Sequence, residues 1–248
     1  MIQAMIFDLD GTLVQTEKLK ALSYARAVIE LCPDKVSESE VVEAFKQVVG
    51  LSRHEVAQSL EKKFNLQEKA TERMEEFGVS TSWQAFIQVR LLHYQAMLAD
   101  PQVLLNHRWP YNLALLESAR RANCKTGLAT MSTCRQAQRV LEILQLQDEF
   151  DFVATRDDVH EGKPNPEIYT LVSNMLAIPT SRCLVIEDSP AGVQAALAAG
   201  MWCIAVTTPF TRTAIHARQL LDERWVVDKA DKLLPTVQDM LAERMIDD

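Results

Sequence analysis

A chain of 248 residues with 26 lysines and arginines against 34 aspartates and glutamates has a net charge of −8. That balance argues against non-specific attraction to nucleic acid, so a phosphate-bearing ligand must meet a locally positive site. Hydrophobic residues make up 48% of the chain, enough for one large core or a core domain carrying a smaller inserted one.

Ala4 to Leu9 is a short apolar run, as expected of a buried strand, and it leads through Asp8 and Asp10 to Gly11. From Thr16 to Ala99 the pattern predicts helices only. Ser37-x-x-Glu40 and Ser52-x-x-Glu55 have capping-box spacing, and Thr81-x-x-Gln84 resembles it. Asp100-Pro101 breaks the helical pattern. Strands and helices then alternate. Leu113–Arg121 reads as a helix, Lys125–Thr130 as a strand, Ala137–Leu144 as a helix and Phe150–Thr155 as a strand. Pro166–Leu176 follows as a helix, Cys183–Ile186 as a strand, Ala191–Ala199 as a helix and Trp202–Val206 as a strand. Trp225–Val227 and a last helix near Leu233–Ala242 complete the pattern. The alternation predicts an α/β parallel sheet covered on both faces. An all-helical block between the first strand and the rest predicts an inserted cap at 16–99, with the core at 1–15 and 100–248.

Cys32, Cys124, Cys134, Cys183 and Cys203 are odd in number, form no CxxC pair and mostly sit in apolar runs. They read as buried thiols in a reducing compartment. The five histidines lack metal-ligand spacing. No basic segment precedes the first strand, and no apolar run is long enough to span a membrane. The expectation is a cytoplasmic protein with neither nucleic-acid nor membrane partners.

Four clusters carry chemistry. Asp8-Leu9-Asp10-Gly11-Thr12 places two carboxylates at the end of the first strand. One can attack phosphorus while the other handles protons, or the run is an acidic strand exit with Gly11 making the turn. Thr130-Met131-Ser132 ends another strand. A hydroxyl and backbone N–H groups there make an anion site, or Ser132 caps the next helix. In Gly162-Lys163-Pro164-Asn165-Pro166, Lys163 is either a cation for a phosphoryl group and Asp8, or a solvated loop lysine. Glu187-Asp188-Ser189-Pro190-Ala191-Gly192 puts adjacent carboxylates after an apolar strand. These suit Mg²⁺, or Asp188 or Ser189 caps the helix. Together the clusters supply a nucleophile, an acid/base, a phosphate cradle, a cation and a metal site, the parts that in-line phosphoryl transfer needs.

FDLDGT, LATMS, GKPNPEIY and IEDSPAGVQAALAAGM together resemble the haloacid dehalogenase superfamily over essentially the whole chain. The resemblance implies a Rossmann-like core with an inserted helical cap, and it assigns roles. Asp8 matches the nucleophile, and Asp10 the general acid/base whose carbonyl also binds Mg²⁺. Thr130, with Met131 and Ser132, matches the phosphate-binding segment, and Lys163 the motif lysine. Asp188 matches the metal-binding acid, with Glu187 a direct or indirect helper. Asp10 sets the chain apart from true dehalogenases and phosphonatases.

Within the superfamily the chain looks most like the β-phosphoglucomutase and sugar-phosphatase group. Gly50-Leu51-Ser52-Arg53 is similar to a cap motif whose arginine grips a distal phosphate, although Ser52 and Glu55 also fit a plain capping box. Gln15 and Lys20 depart from the mutase pattern, Lys20 standing where a histidine is common. The resemblance therefore implies a Mg²⁺-dependent phosphatase acting on a small phosphorylated metabolite such as a sugar phosphate, as a monomer or small homo-oligomer. The alternative is a phosphohexomutase of the β-phosphoglucomutase type.

Overall fold

The short apolar runs pair into one sheet in the computed structural model, which describes residues 1–32, 36–49 and 53–246. Two compact units emerge, one formed by Met1–Gln15 with Leu104–Asp248 and the other by Thr16–Val103. The second is helical throughout its described residues: α1 (Thr16–Leu31), α2 (Glu38–Lys46), α3 (Arg53–Phe64), α4 (Gln67–Glu72), α5 (Met74–Phe77) and α6 (Ser82–Leu98). The boundary at Val103 falls within α7 (Pro101–Leu105), and after it come α8 (Pro110–Arg121), α9 (Cys134–Leu144), α10 (Glu167–Leu176), α11 (Pro190–Ala198), α12 (Arg212–Arg218) and α13 (Leu233–Ile246).

The strands are β1 (Ala4–Phe7), β2 (Lys125–Ala129), β3 (Phe152–Ala154), β4 (Cys183–Glu187), β5 (Trp202–Val206) and β6 (Val226–Val227). They lie in the order β3-β2-β1-β4-β5-β6, and every pairing is parallel. Helices surround this sheet in a Rossmann-like α/β fold, as parallel strands buried on both faces require. β1 is buried at each position and sits between β2 and β4. Phe7 pairs with Leu128 on one side and Ile186 on the other, so Asp8, Ala129 and Glu187 stand at one level at the strand ends.

Alternation along the strands divides the core. Ala4, Ile6, Cys183, Val185, Cys203 and Ala205 pack with Ile168, Tyr169, Val172 and Leu176 of α10 and with Val193 of α11. Gly127 lets α10 approach, because a Cβ there would lie 2.4 Å from Val172 Cγ1. The helix α12 falls where the sequence predicts none, and α8 starts three residues earlier than expected, at Pro110. Proline is well placed in a first helical turn, where its missing N–H is not needed. The cysteines are free thiols. Cys183 and Cys203 are buried, whereas Cys134 is exposed at the start of α9, unlike the buried thiol expected there.

In the helical unit, Tyr24 of α1 stacks with Phe45 of α2 and Phe86 of α6 at centroid distances of 5.5 and 5.7 Å. The buried Arg90 guanidinium lies 5.1 Å from the Tyr24 ring centroid and 4.5 Å from that of Tyr94. The Ser37–Glu40 capping box forms: Ser37 Oγ accepts from the Glu40 N–H, and the Ser37 N–H donates to Glu40 Oε2. Thr81 does not cap α6; its hydroxyl donates to the Gln84 side chain instead. The Ser52–Glu55 pair lies partly outside the described residues, as Ser52 is not among them. No described helix is long and apolar enough to cross a membrane.

Candidate active site

The carboxyl ends of β1, β2 and β4 bring Asp8, Thr130 and Glu187-Asp188 to one edge of the sheet, the usual position for function in open parallel sheets. Asp8 is 6% exposed, and its backbone N–H is tied to Ile186 O at 3.0 Å. The chain then turns at Gly11, whose φ is +97°. A Cβ at Gly11 would also sit 2.1 Å from Asp188 Oδ2, so only glycine fits both the backbone and the space. A side chain from α8 fixes this turn from behind, Asn112 Nδ2 donating to Thr12 O at 2.5 Å.

Lys163 reaches this edge from the loop before α10. Its ammonium donates to Asp8 Oδ1 at 2.7 Å, Ala129 O at 2.9 Å and Glu187 Oε1 at 2.6 Å. The side chain is 5% exposed, so the solvated loop lysine is ruled out. Its loop is braced by Glu167, which accepts from the backbone N–H groups of His160 and Glu161, and by Asn165, which accepts from the Glu167 N–H.

Glu187 is held from both ends. Oε1 accepts from Lys163 and from the Tyr169 hydroxyl at 2.9 Å. Oε2 accepts from the N–H groups of Asp188 and Ser189 at 2.9 and 3.0 Å and from Ser189 Oγ at 3.1 Å. Space for this carboxylate exists only because residue 192 lacks a Cβ, which would lie 1.7 Å from Oε1. Ser189 caps α11, accepting from the Gly192 N–H.

Asp10 receives the hydroxyls of Thr130, at 3.4 Å, and of Ser132 in a shorter bond. Ser132 is therefore not the cap of the next helix. That helix starts at Cys134 with Thr133 in the cap position, and the Ser132 side chain is spent on a carboxylate 122 residues away in the chain. Met131 is half-buried against the core, and Gly162 makes room for its methyl group.

The electrostatics follow from burial. Loss of water pushes the Asp8 carboxyl up to about 8, with Lys163 pulling it down and Glu187 and Asp10 adding to the rise. Burial also pushes Glu187 up, but Lys163 and the surrounding donors outweigh it and hold that carboxyl below its ordinary value. Burial opposes the Lys163 charge, yet Asp8 and Glu187 keep its pKa above the usual lysine range. Burial and then the Glu187 and Asp8 charges hold the Tyr169 phenol well above its ordinary pKa, so it remains a donor.

Asp8, Glu187 and Asp188 each present an oxygen within 4.8 Å of the others. Lys163 touches only two of these buried carboxyl groups, and hard oxygen donors at this spacing fit a divalent cation such as Mg²⁺. Of the residues singled out in the sequence, Asp8, Asp10, Thr130, Ser132, Lys163, Glu187 and Asp188 come together here, with Met131 beside them. Arg53 does not join them in this unit; it opens α3 of the helical unit and is exposed. Ser52 lies outside the described residues. Tyr169 closes the GKPNPEIY stretch, which assigns it no role, and Asn112 has no distinctive sequence signal. Tyr169 falls on the apolar stripe of α10, and its hydroxyl partner is 18 residues away.

Residues 2–200 match the sequence profile of the haloacid dehalogenase-like hydrolases. The phosphorylated carbohydrates phosphatase of Thermotoga maritima is 28% identical over 200 residues, covering 81% of this chain and 82% of that protein. The β-phosphoglucomutase of Bacillus subtilis is 28% identical over 238 residues, covering 90% and 96%. The crystal structure of β-phosphoglucomutase from Clostridium difficile superposes with a TM-score of 0.69 at 24% identity, over 99% of this chain and 100% of that one, a likeness of fold. With the profile spanning most of its length, this chain belongs to the haloacid dehalogenase-like hydrolases.

Proposed function

We propose that this hydrolase is a Mg²⁺-dependent phosphatase that removes phosphate from a small phosphorylated metabolite, a sugar phosphate, through a phosphoaspartate on Asp8. The observation that carries the reading is the buried contact of Asp8 with Lys163 beside Glu187 and Asp188. A carboxylate attacks phosphorus only if the charge on both partners is offset, and Lys163 is built into that position. The phosphatase among the relatives supports the choice of phosphorylated carbohydrates.

In the proposed reaction, one Asp8 oxygen forms a bond to phosphorus as the bond to the leaving oxygen breaks. Asp10, held by the Thr130 and Ser132 hydroxyls, gives its proton to the leaving oxygen. It then takes a proton from a water that attacks the phosphoaspartate, releasing phosphate and restoring Asp8. Asp8 and Asp188 are the proposed Mg²⁺ ligands, with the Asp10 carbonyl completing the protein's share. When bound, the ion supplies positive charge that keeps Asp8 ionised and offsets the substrate phosphate. Both Glu187 oxygens already accept hydrogen bonds, which suits it to holding Lys163. The helical unit is the proposed substrate-selecting cap.

A mutase is the second reading, favoured by the β-phosphoglucomutase relative that matches 96% of its own length. It shares the first half-reaction and passes the phosphoryl group to a sugar hydroxyl. Lys20 is charged near neutral pH and cannot relay a proton as a histidine does, which favours water as the acceptor. The deciding experiment supplies phosphorylated metabolites with Mg²⁺, including β-glucose 1-phosphate with glucose 1,6-bisphosphate, and follows free phosphate and isomerised product together. Release of free phosphate as the main product is expected. Isomerisation much faster than phosphate release overturns the phosphatase reading.

A further inference from the structure

Tyr169 heads the large side chains that are fully buried in the described structure, and it lies in an apolar cluster with Ile168, Val172 and Val185. A phenylalanine would fill that volume without bringing a hydroxyl out of water, a step that is unfavourable unless the group finds a partner. Here the hydroxyl is used. It donates at 2.9 Å to Glu187 Oε1, the same oxygen that takes a proton of Lys163 at 2.6 Å. The ring of the same residue lies beneath the ammonium, with Nζ 4.9 Å from its centroid. One side chain thus touches both members of a buried ion pair, one through a hydrogen bond and the other through the face of its π-system.

We propose that Tyr169 is a positioning residue for phosphoryl transfer, setting how the Lys163 ammonium is shared between Glu187 and Asp8. The proposal rests on the phosphoaspartate reading above. With the hydroxyl present, Oε1 has two donors, and its hold on Lys163 is moderated. Without it, Lys163 becomes the main donor to Oε1 and is drawn toward Glu187. Less of the ammonium charge then falls on Asp8 and on a phosphoryl group in transfer. The ring limits the same drift from the other side. Tyr169 touches neither Asp8 nor substrate in this account, so it acts only through Lys163 and Glu187.

The test uses the full chain with Mg²⁺ and compares wild type, Tyr169→Phe and Tyr169→Leu. It measures kcat and KM on p-nitrophenyl phosphate, the inhibition constant of vanadate as a probe of the phosphoryl site, and the melting temperature. Hydrogen bonds to charged groups matter at the level of roughly a tenfold rate change. Tyr169→Phe is therefore expected to lower kcat by about 5- to 20-fold, with KM within about 2-fold of wild type. The vanadate constant should rise in parallel while the melting temperature moves by only a few degrees. Tyr169→Leu, which also lacks the ring face, should lose about a further tenfold in kcat. A folded Tyr169→Phe with wild-type kcat and vanadate affinity overturns the proposal and leaves a packing residue. So does a fall in kcat with vanadate binding unchanged. Asp8→Asn measured alongside separates the two claims. If it is inert while Tyr169→Phe turns over normally, only the role of Tyr169 falls; if it turns over normally, the phosphoaspartate reading falls and takes this proposal with it.

Discussion

Gly192→Ala tests the placement of Glu187 most sharply, because helix propensity and packing predict opposite signs. Residue 192 lies inside α11. In a helix interior, replacing glycine by alanine stabilises by about 1 kcal/mol. The structure opposes this: the new Cβ would stand 1.7 Å from Glu187 Oε1, 1.9 Å from Cδ and 2.3 Å from Oε2. Neither atom set can yield cheaply. The helix backbone is fixed, and Glu187 is held by Lys163, Tyr169, Ser189 and two backbone N–H groups. If the carboxylate swings away and two of these bonds go unmade, the cost is about 1.5–3 kcal/mol for each bond to a charged group. Set against the propensity gain, the net loss is roughly 2–5 kcal/mol. For a chain of this size that lowers the melting temperature by about 4–20 °C. Thermal unfolding with circular dichroism reads the shift, and phosphate release from p-nitrophenyl phosphate should fall by at least about tenfold. A Gly192→Ala protein that melts at or above the wild-type temperature and keeps its turnover would refute the reasoning, since Glu187 could not then occupy this space.

Three further outcomes are expected. Asp8→Asn should fold normally and lose turnover by about a thousandfold or more, read as phosphate release with Mg²⁺, because an amide does not serve as the nucleophile. In metal-free protein, the Asp8 pKa of about 8 lies above its unfolded value near 3.8, so the folded state holds the proton more tightly. That contribution is intact at low pH and is lost as pH rises through roughly 4–8. Urea titrations in chelator should show the Asp8-dependent part of stability declining over that window, and Mg²⁺ should flatten the decline. A metal-free pH profile unchanged by Asp8→Asn would contradict the burial argument. If Arg53 has the distal-phosphate role that the resemblance implies, Arg53→Ala should raise KM for substrates with a second anionic group and affect p-nitrophenyl phosphate little; equal effects on both would make Arg53 an ordinary surface residue.

The strand ends were legible because parallel, doubly buried strands leave unbroken apolar runs. Asp8, Asp10, Thr130, Glu187 and Asp188 could be marked because each ends or follows such a run, and Lys163 because it sits between prolines just before a helix. What each side chain touches was not legible. Ser132 has the local form of a helix cap, and only its approach to Asp10 across the fold shows otherwise. Lys163 looks like any loop lysine until its three acceptors appear. Tyr169 reads as core from its spacing on α10, because a hydroxyl's partner has no period in the chain. Gly11 and Gly192 carry meaning only in three dimensions, as sites where a carboxylate occupies the volume of an absent Cβ. The α12 helix was missed because its seven residues, Arg212–Arg218, bury only Ile215 and so lack a detectable apolar stripe.

The position of β1 also has a consequence for how the chain is made. Ala4 pairs with Lys125 and with Cys183, which are 121 and 179 residues further along (125 − 4 and 183 − 4). At about 5–20 residues per second, the ribosome needs on the order of 10–40 s after β1 before its second neighbour exists. The helical unit, which is one continuous stretch of chain, can complete itself in that interval, since its longest separations are shorter than those of the sheet. The apolar Ala4–Phe7 segment waits with both edges unpaired until β2 is made and with one edge unpaired until β4 is made, a natural client for a chaperone that binds short hydrophobic strands. Slowing translation before residue 183 should therefore prolong chaperone association and raise the aggregated fraction.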